Sequence, residues 1–333
     1  MKNFAGVSAR GLRNFLGIAT LFIVSLALIA ADSGNKWEQP ADCGAARKNL
    51  RPYSRLIEIF HYDAKIPPAV SVLSTGDDGS LTVQTIEFDA DHGLKCSAEL
   101  IFPDRKGRYP GVVWLGSNDK GWEQYAIEFS KLGAVSILPD WCGNAPITDA
   151  HAYYQEHVMM TVNVRRAVDI LSSRKDMDPK RIAFVGHSGG TLIGADAVAV
   201  DKRFKAAVFE VGLQGFTYHV CTSAHPFAVG ARKELNNQLL NWVSVLAPLD
   251  AILYIGHEAP TVLLFQSARL DQGVPQSDAQ AFFDAASEPK QLKWYDSGHK
   301  MELPEVTKDR TDFLRKELRM NWSGITRTGS LRR

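Results

Sequence analysis

Short, nearly continuous apolar runs recur along the chain at 111–116, 134–138, 182–185, 206–211 and 261–266, Val112-Val113-Trp114-Leu115 and Ile182-Ala183-Phe184-Val185 being the clearest. Runs of this length predict strands of a parallel sheet buried on both faces. Between them apolar positions fall at helical spacing, at 123–131, 191–200, 276–286 and 302–318. The longest such stretch is 150–173, with Val158, Val162, Ala167, Val168 and Leu171 on the apolar side. A further strand is expected at 291–295. This alternation of strand and helix implies a mostly parallel sheet with helices on both faces. Upstream the period shortens to two: 82–88 alternates, Asp91-His92-Gly93 turns, and 94–102 runs on to Pro103, which reads as a leading hairpin.

The alternation breaks between 212 and 259. Aromatic residues and histidines, among them Phe216, Tyr218, His219, His225, Phe227 and Trp242, are mixed there with a helical piece around 233–246. An insertion after the carboxyl end of a strand in an open sheet lies over the ligand crevice, so 212–259 is expected to form a lid or cap. Phe216 and Tyr218 are its candidate pocket residues, joined by His187 and Trp141 from the sheet ends.

The two ends of the chain differ from the 70–318 domain. Lys2, Arg10 and Arg13 precede an uncharged apolar run over 15–31, closed by Ala30-Ala31. Residues 1–31 are therefore expected to be a secretory signal peptide or, failing cleavage, an amino-terminal membrane anchor, with the body secreted or periplasmic. Residues 32–69 form an arm whose one strongly apolar patch, 56–60, is expected to pack on the domain. The tail 319–333 is polar and basic, the composition of a disordered segment.

Composition narrows the partners. The 333 residues are 45% hydrophobic and 23% charged, with a net charge of +1. No basic tract interleaves with aromatics, so nucleic acid is not an expected partner and a small molecule is. Cys43, Cys96, Cys142 and Cys221 would suit one or two disulfides in an oxidising compartment, and their spacing is not that of a metal site.

The chemistry concentrates at Gly186-His187-Ser188-Gly189-Gly190, between the apolar run 182–185 and the helical stretch 191–200. A glycine-flanked serine in a sharp strand-to-helix turn is a nucleophile elbow, which lifts the hydroxyl to where a base can take its proton. The chain order serine, acid, histidine then ranks the partners. His299, in a loop after the last expected strand, is the candidate base. Asp271, just past the strand at 261–266, is the candidate acid, ahead of Glu210 and Asp296. Asp250 and Asp278 read as solvated or capping residues. The oxyanion donors are expected to be the backbone N–H groups of Gly189 and of Ser117, with Asn118 the alternative to Ser117.

In combination, the segments GHSGGT, RLDQGVP and YDSGHK resemble the α/β-hydrolase superfamily, in its dienelactone hydrolase and prolyl-oligopeptidase-like branch. The resemblance spans about 70–318 and implies a serine hydrolase, in first place a carboxylic ester hydrolase acting through an acyl-enzyme on Ser188, with no cofactor. Thioesterase, amidase or peptidase, and acyltransferase activities use the same triad, and a non-catalytic binding module on this fold is the reading from another class. Two departures stand out. Leu115-Gly116 replaces the usual His-Gly after the third strand, and the nucleophile is serine where dienelactone hydrolases have cysteine.

Overall fold

The computed structural model describes residues 41–48, 50–90, 94–116 and 121–320. The signal or anchor segment 1–31, residues 32–40 of the expected arm, the turn Asp91-His92-Gly93 and the tail from 321 lie outside the described residues.

Nine strands form one sheet: β1 (Val70–Asp77), β2 (Leu81–Asp89), β3 (Lys95–Pro103), β4 (Tyr109–Leu115), β5 (Val135–Pro139), β6 (Met177–His187), β7 (Phe204–Glu210), β8 (Val262–Ala268) and β9 (Lys290–Tyr295). Their spatial order is β1-β2-β3-β5-β4-β6-β7-β8-β9. The pairs β1–β2, β2–β3 and β3–β5 are antiparallel, and the five pairs from β4–β5 through to β8–β9 are parallel. The expected hairpin is thus the inner part of a three-stranded antiparallel edge. Its outermost member, β1, is exposed along its whole length and so carries little of the apolar signal by which buried strands announce themselves.

The continuous apolar runs have a simple cause. Side chains alternate across the sheet, and both faces are covered. In β4, Val113 and Leu115 join a core beneath α3 (Ala150–Ser173) and α4 (Gly189–Val200), where Met160, Val164 and Ile193 lie. Val112 and Trp114 face the other way, into a core with Phe129 of α2 (Gly121–Lys131) and Phe313 and Leu314 of α9 (Pro304–Glu317). Burying a residue such as Leu or Phe contributes roughly 1.5–3 kcal/mol, so two such layers hold the sheet between its helices.

Between β7 and β8 the chain is helical: α5 (Phe216–Thr222), α6 (Pro226–Leu235) and α7 (Leu239–Leu246) are followed by short 3-10 turns at Ala247–Leu249, Ala251–Leu253 and Ile255–His257. The one helix expected at 233–246 is two. Asn236, with a left-handed φ of 46°, ends α6 and lets α7 start in a new direction.

The arm packs mainly on this helical region. Cys43, Leu56 of α1 (Tyr53–Leu56) and Phe60 are buried with Leu235, Leu239, Trp242 and Tyr254. A disulfide joins Cys43 to Cys221 of α5, and another joins Cys96 of β3 to Cys142 in the loop after β5. Asp250, read from sequence as solvated or capping, is buried. Its carboxylate accepts from the N–H and hydroxyl of Thr217 and faces Arg47 of the arm. Asp278 is buried as well and accepts from Gln214.

Candidate active site

β4 leads to β5 on one side and its other neighbour, β6, leads to β7 on the opposite side, so the connections diverge and a crevice opens at the carboxyl ends of β4 and β6. β6 ends at His187, α4 begins at Gly189, and Ser188 between them has φ 53° and ψ −121°. That left-handed backbone costs a non-glycine residue on the order of 1–3 kcal/mol. Fixed bonds hold it: Ser188 N donates to Glu210 O at 3.0 Å, and Ser188 O accepts from Thr191 N at 2.9 Å and Thr191 Oγ1 at 2.6 Å.

The strain therefore sits on the serine, and the flanking glycines serve close approach. A Cβ on Gly190 would stand 1.9 Å from the backbone oxygen of Leu115 in β4, and one on Gly186 would stand 2.8 Å from the backbone oxygen of Gly190. Neither glycine has positive φ. Only a residue without a side chain lets the first turn of α4 press against the ends of β4 and β6.

The loops after β8 and β9 bring Asp271 and His299 to the same edge. His299 Nε2 lies 2.8 Å from Ser188 Oγ, and His299 Nδ1 lies 2.8 Å from Asp271 Oδ2. An ionised carboxylate only accepts, so Nδ1 carries the ring proton and Nε2 is left to accept from the serine hydroxyl. The other oxygen of Asp271 accepts from Gly273 N at 2.7 Å and Val274 N at 3.0 Å. Burial pushes the Asp271 carboxyl up, but the bond and charge of His299 and the two N–H groups more than offset it and hold it below its ordinary value. The side chain of Asp271 is 1% exposed and that of His299 39%, so the acid is sealed and the imidazole faces solvent.

The runner-up acids are engaged elsewhere. Glu210 is buried in an ion pair with Arg310, whose guanidinium stands over the Tyr125 ring. Asp296 is exposed and pairs with Arg269 at 3.2 Å.

His187 does not line the cavity beside Gly189. Its Nε2 donates to the backbone oxygen of His299 at 2.9 Å, and its ring packs on Trp122. Burial, the largest influence, lowers its pKa, so the ring is neutral and braces the His299 loop from behind.

The N–H of Gly189, in the first turn of α4, has no partner within its helix, as is general for the first N–H groups of a helix. Ser117 and Asn118 lie outside the described residues. Beside Gly189 is a cavity of about 80 Å³, lined by Trp141, Tyr153, Glu156, His157, Gly189, Leu192, Ile193 and Phe216. Trp141 is fixed by a 2.8 Å bond from its indole N–H to Gly116 O, and Phe216 stacks on Tyr153 with centroids 5.2 Å apart.

Two of the four pocket residues expected from sequence, Trp141 and Phe216, line this cavity. Tyr218 does not, because two positions along a helix point to nearly opposite sides; its ring lies under the Arg47 guanidinium. Tyr153, Glu156, His157, Leu192 and Ile193 escaped sequence reading. A signal was there for one of them: Asp196 is the one charged residue of α4, and a lone carboxylate in an apolar helix needs a partner, which is His157 at 2.7 Å.

The profile of the prolyl oligopeptidase family matches residues 147–320, a stretch that contains Ser188, Asp271 and His299. No curated protein matches the sequence. Among solved structures, the acetyl xylan esterase from Paenibacillus sp. R4 superposes with a TM-score of 0.67 at 18% identity, over 82% of this chain and 98% of that one. Acetyl xylan esterase 1 from Thermoanaerobacterium sp. JW/SL YS485 gives 0.66 at 15%, over 86% and 99%. A cold-adapted esterase from an Arctic intertidal metagenomic library gives 0.55 at 15%, over 74% and 97%. At these identities the likeness is one of fold, that of the α/β hydrolases.

Proposed function

The chain belongs to the prolyl oligopeptidase family and is a serine hydrolase; from that premise we propose that Ser188 is its nucleophile, His299 its base, Asp271 the group that orients the base, and small carboxylic esters its substrates. The observation that carries this reading is the pair of 2.8 Å contacts on the two nitrogens of one imidazole. Ser188 Oγ attacks the ester carbonyl as His299 takes its proton, and the oxyanion forms against the N–H of Gly189. Ser117 N–H is the proposed second donor on its sequence position. His299 then protonates the leaving alcohol, and water, activated by the same ring, releases the acid from Ser188. Each oxyanion donor contributes about 3–4 kcal/mol to the barrier reduction.

Cavity size favours a short acyl group. The cavity beside Gly189 is small, about 80 Å³, and its walls are mostly apolar. That the superposed structures are esterases supports an ester substrate. We also propose export to an oxidising compartment, as the apolar stretch 15–31 suggests; the two disulfides support it.

A fluorophosphonate probe tests the assignment. It is expected to label the wild-type protein and not Ser188→Ala, and p-nitrophenyl acetate and butyrate are expected to be hydrolysed faster than the octanoate. Equal labelling of the folded Ser188→Ala protein would remove Ser188 from the mechanism.

A further inference from the structure

The cavity beside Gly189 has a buried imidazole among mostly apolar walls. His157 of α3 lines it together with Leu192 and Ile193, and its Nε2 is bonded to Asp196 Oδ2 at 2.7 Å. Asp196 stands two turns down α4 from Gly189. Both side chains are at least nine-tenths buried. With Asp196 ionised, Nε2 carries the proton, and Nδ1 has no partner among the described residues. The second oxygen of Asp196 is buried without a partner as well.

A bare structural tie is a poor explanation. Removing a carboxylate from water is costly, and an apolar pair of the same size would join α3 to α4 at least as well. The arrangement makes sense when something in the cavity completes the imidazole. Resting on Ser188 as the nucleophile, we infer that His157, oriented by Asp196, is a recognition point for a hydroxyl on a short acyl group, so that the cavity selects short hydroxyacyl esters over their apolar isosteres. A hydroxyl donates to Nδ1. A carboxylate is disfavoured, because Glu156 also lines the cavity and Asp196 lies behind the ring.

The size fits. The cavity is small, about 80 Å³, and a 3-hydroxypropionyl group is a short acyl chain that ends in a hydroxyl. Sites built to bond a substrate hydroxyl reject the analogue without it far more strongly than apolar pockets reject a missing methylene.

The test compares ethyl 3-hydroxypropionate with ethyl butyrate, which differ by hydroxyl for methyl. The wild-type protein is expected to favour the hydroxy ester at least tenfold in kcat/KM. His157→Phe is expected to lower kcat/KM for the hydroxy ester at least tenfold more than for butyrate. His157→Gln keeps an acceptor and should retain part of the preference, and it serves if the Phe variant does not fold. Equal turnover of the two esters by wild type overturns the inference, as does a loss shared equally by both esters in the variants. If fluorophosphonate leaves Ser188 unlabelled and neither ester is cleaved, the nucleophile assignment falls and this inference falls with it. Labelling and butyrate hydrolysis without a hydroxyl preference sink only the inference.

Discussion

His299 touches Ser188 with one nitrogen and Asp271 with the other, and each of the three was legible for a different reason. Ser188 was marked by its glycines, His299 by following the last strand, and Asp271 by standing between a strand and a helix. Chain order did the rest, since the fold fixes which loops meet. What could not be read was contact across the chain: His187 beneath His299, or the Arg310 that occupies Glu210. These depend on side-chain direction, and local pattern does not encode it. If Asp271 orients the imidazole, Asp271→Asn should lower kcat about 10⁴-fold, because an amide donor at that place favours the wrong tautomer. Steady-state kinetics on p-nitrophenyl acetate measures it, and a loss under tenfold would move the orienting role to another group.

The parallel strands and the long helix α3 were plain in the sequence because burial on both faces, or along one stripe, writes itself as apolar periodicity. The exposed strand β1 and the split of α6 from α7 left no such trace. The cysteine pairing was equally silent, being a matter of three-dimensional approach. Its consequence lies in α5. The Cys43–Cys221 bond and the Asp250–Thr217 contacts fix both ends of the helix that carries Phe216 into the cavity. The bridge spans 178 residues, a closure that removes about 5 kcal/mol of unfolded-chain entropy. Replacing both Cys43 and Cys221 by serine should therefore lower stability by about 2–5 kcal/mol, read as a shift in the urea midpoint. The same change should weaken acyl-length selectivity more than turnover of acetate. A variant with an unchanged midpoint would show that the bridge does not constrain the fold.

Three buried carboxyls, Asp196, Asp250 and Glu258, shape how the whole molecule answers pH. Burial drives Asp196 up to about 6 against the pull of His157, and Asp250 up to about 7 against Thr217 and Arg47; it raises Glu258 well above its ordinary value. A carboxyl whose folded pKa is raised stabilises fully below its unfolded value, near 4, and that stability is lost as pH rises through the folded value. Asp271 runs the other way, losing its contribution only below the ordinary carboxylate range. Stability should thus decline between about pH 4 and pH 7, and Asp250→Asn should flatten the decline when urea midpoints are measured across that window. Parallel curves for the two proteins would remove Asp250 as a source. The groups proposed for bond making sit at the ends of β6, β8 and β9, while the contour of the cavity comes from α3, α4, α5 and the loop after β5, with Gly189 the one residue shared. Substitutions at Tyr153, His157 or Phe216 can therefore redirect the enzyme to another acyl group while the proton relay stays intact, so a lineage built on this scaffold can change diet by drift in two helices without passing through an inactive ancestor.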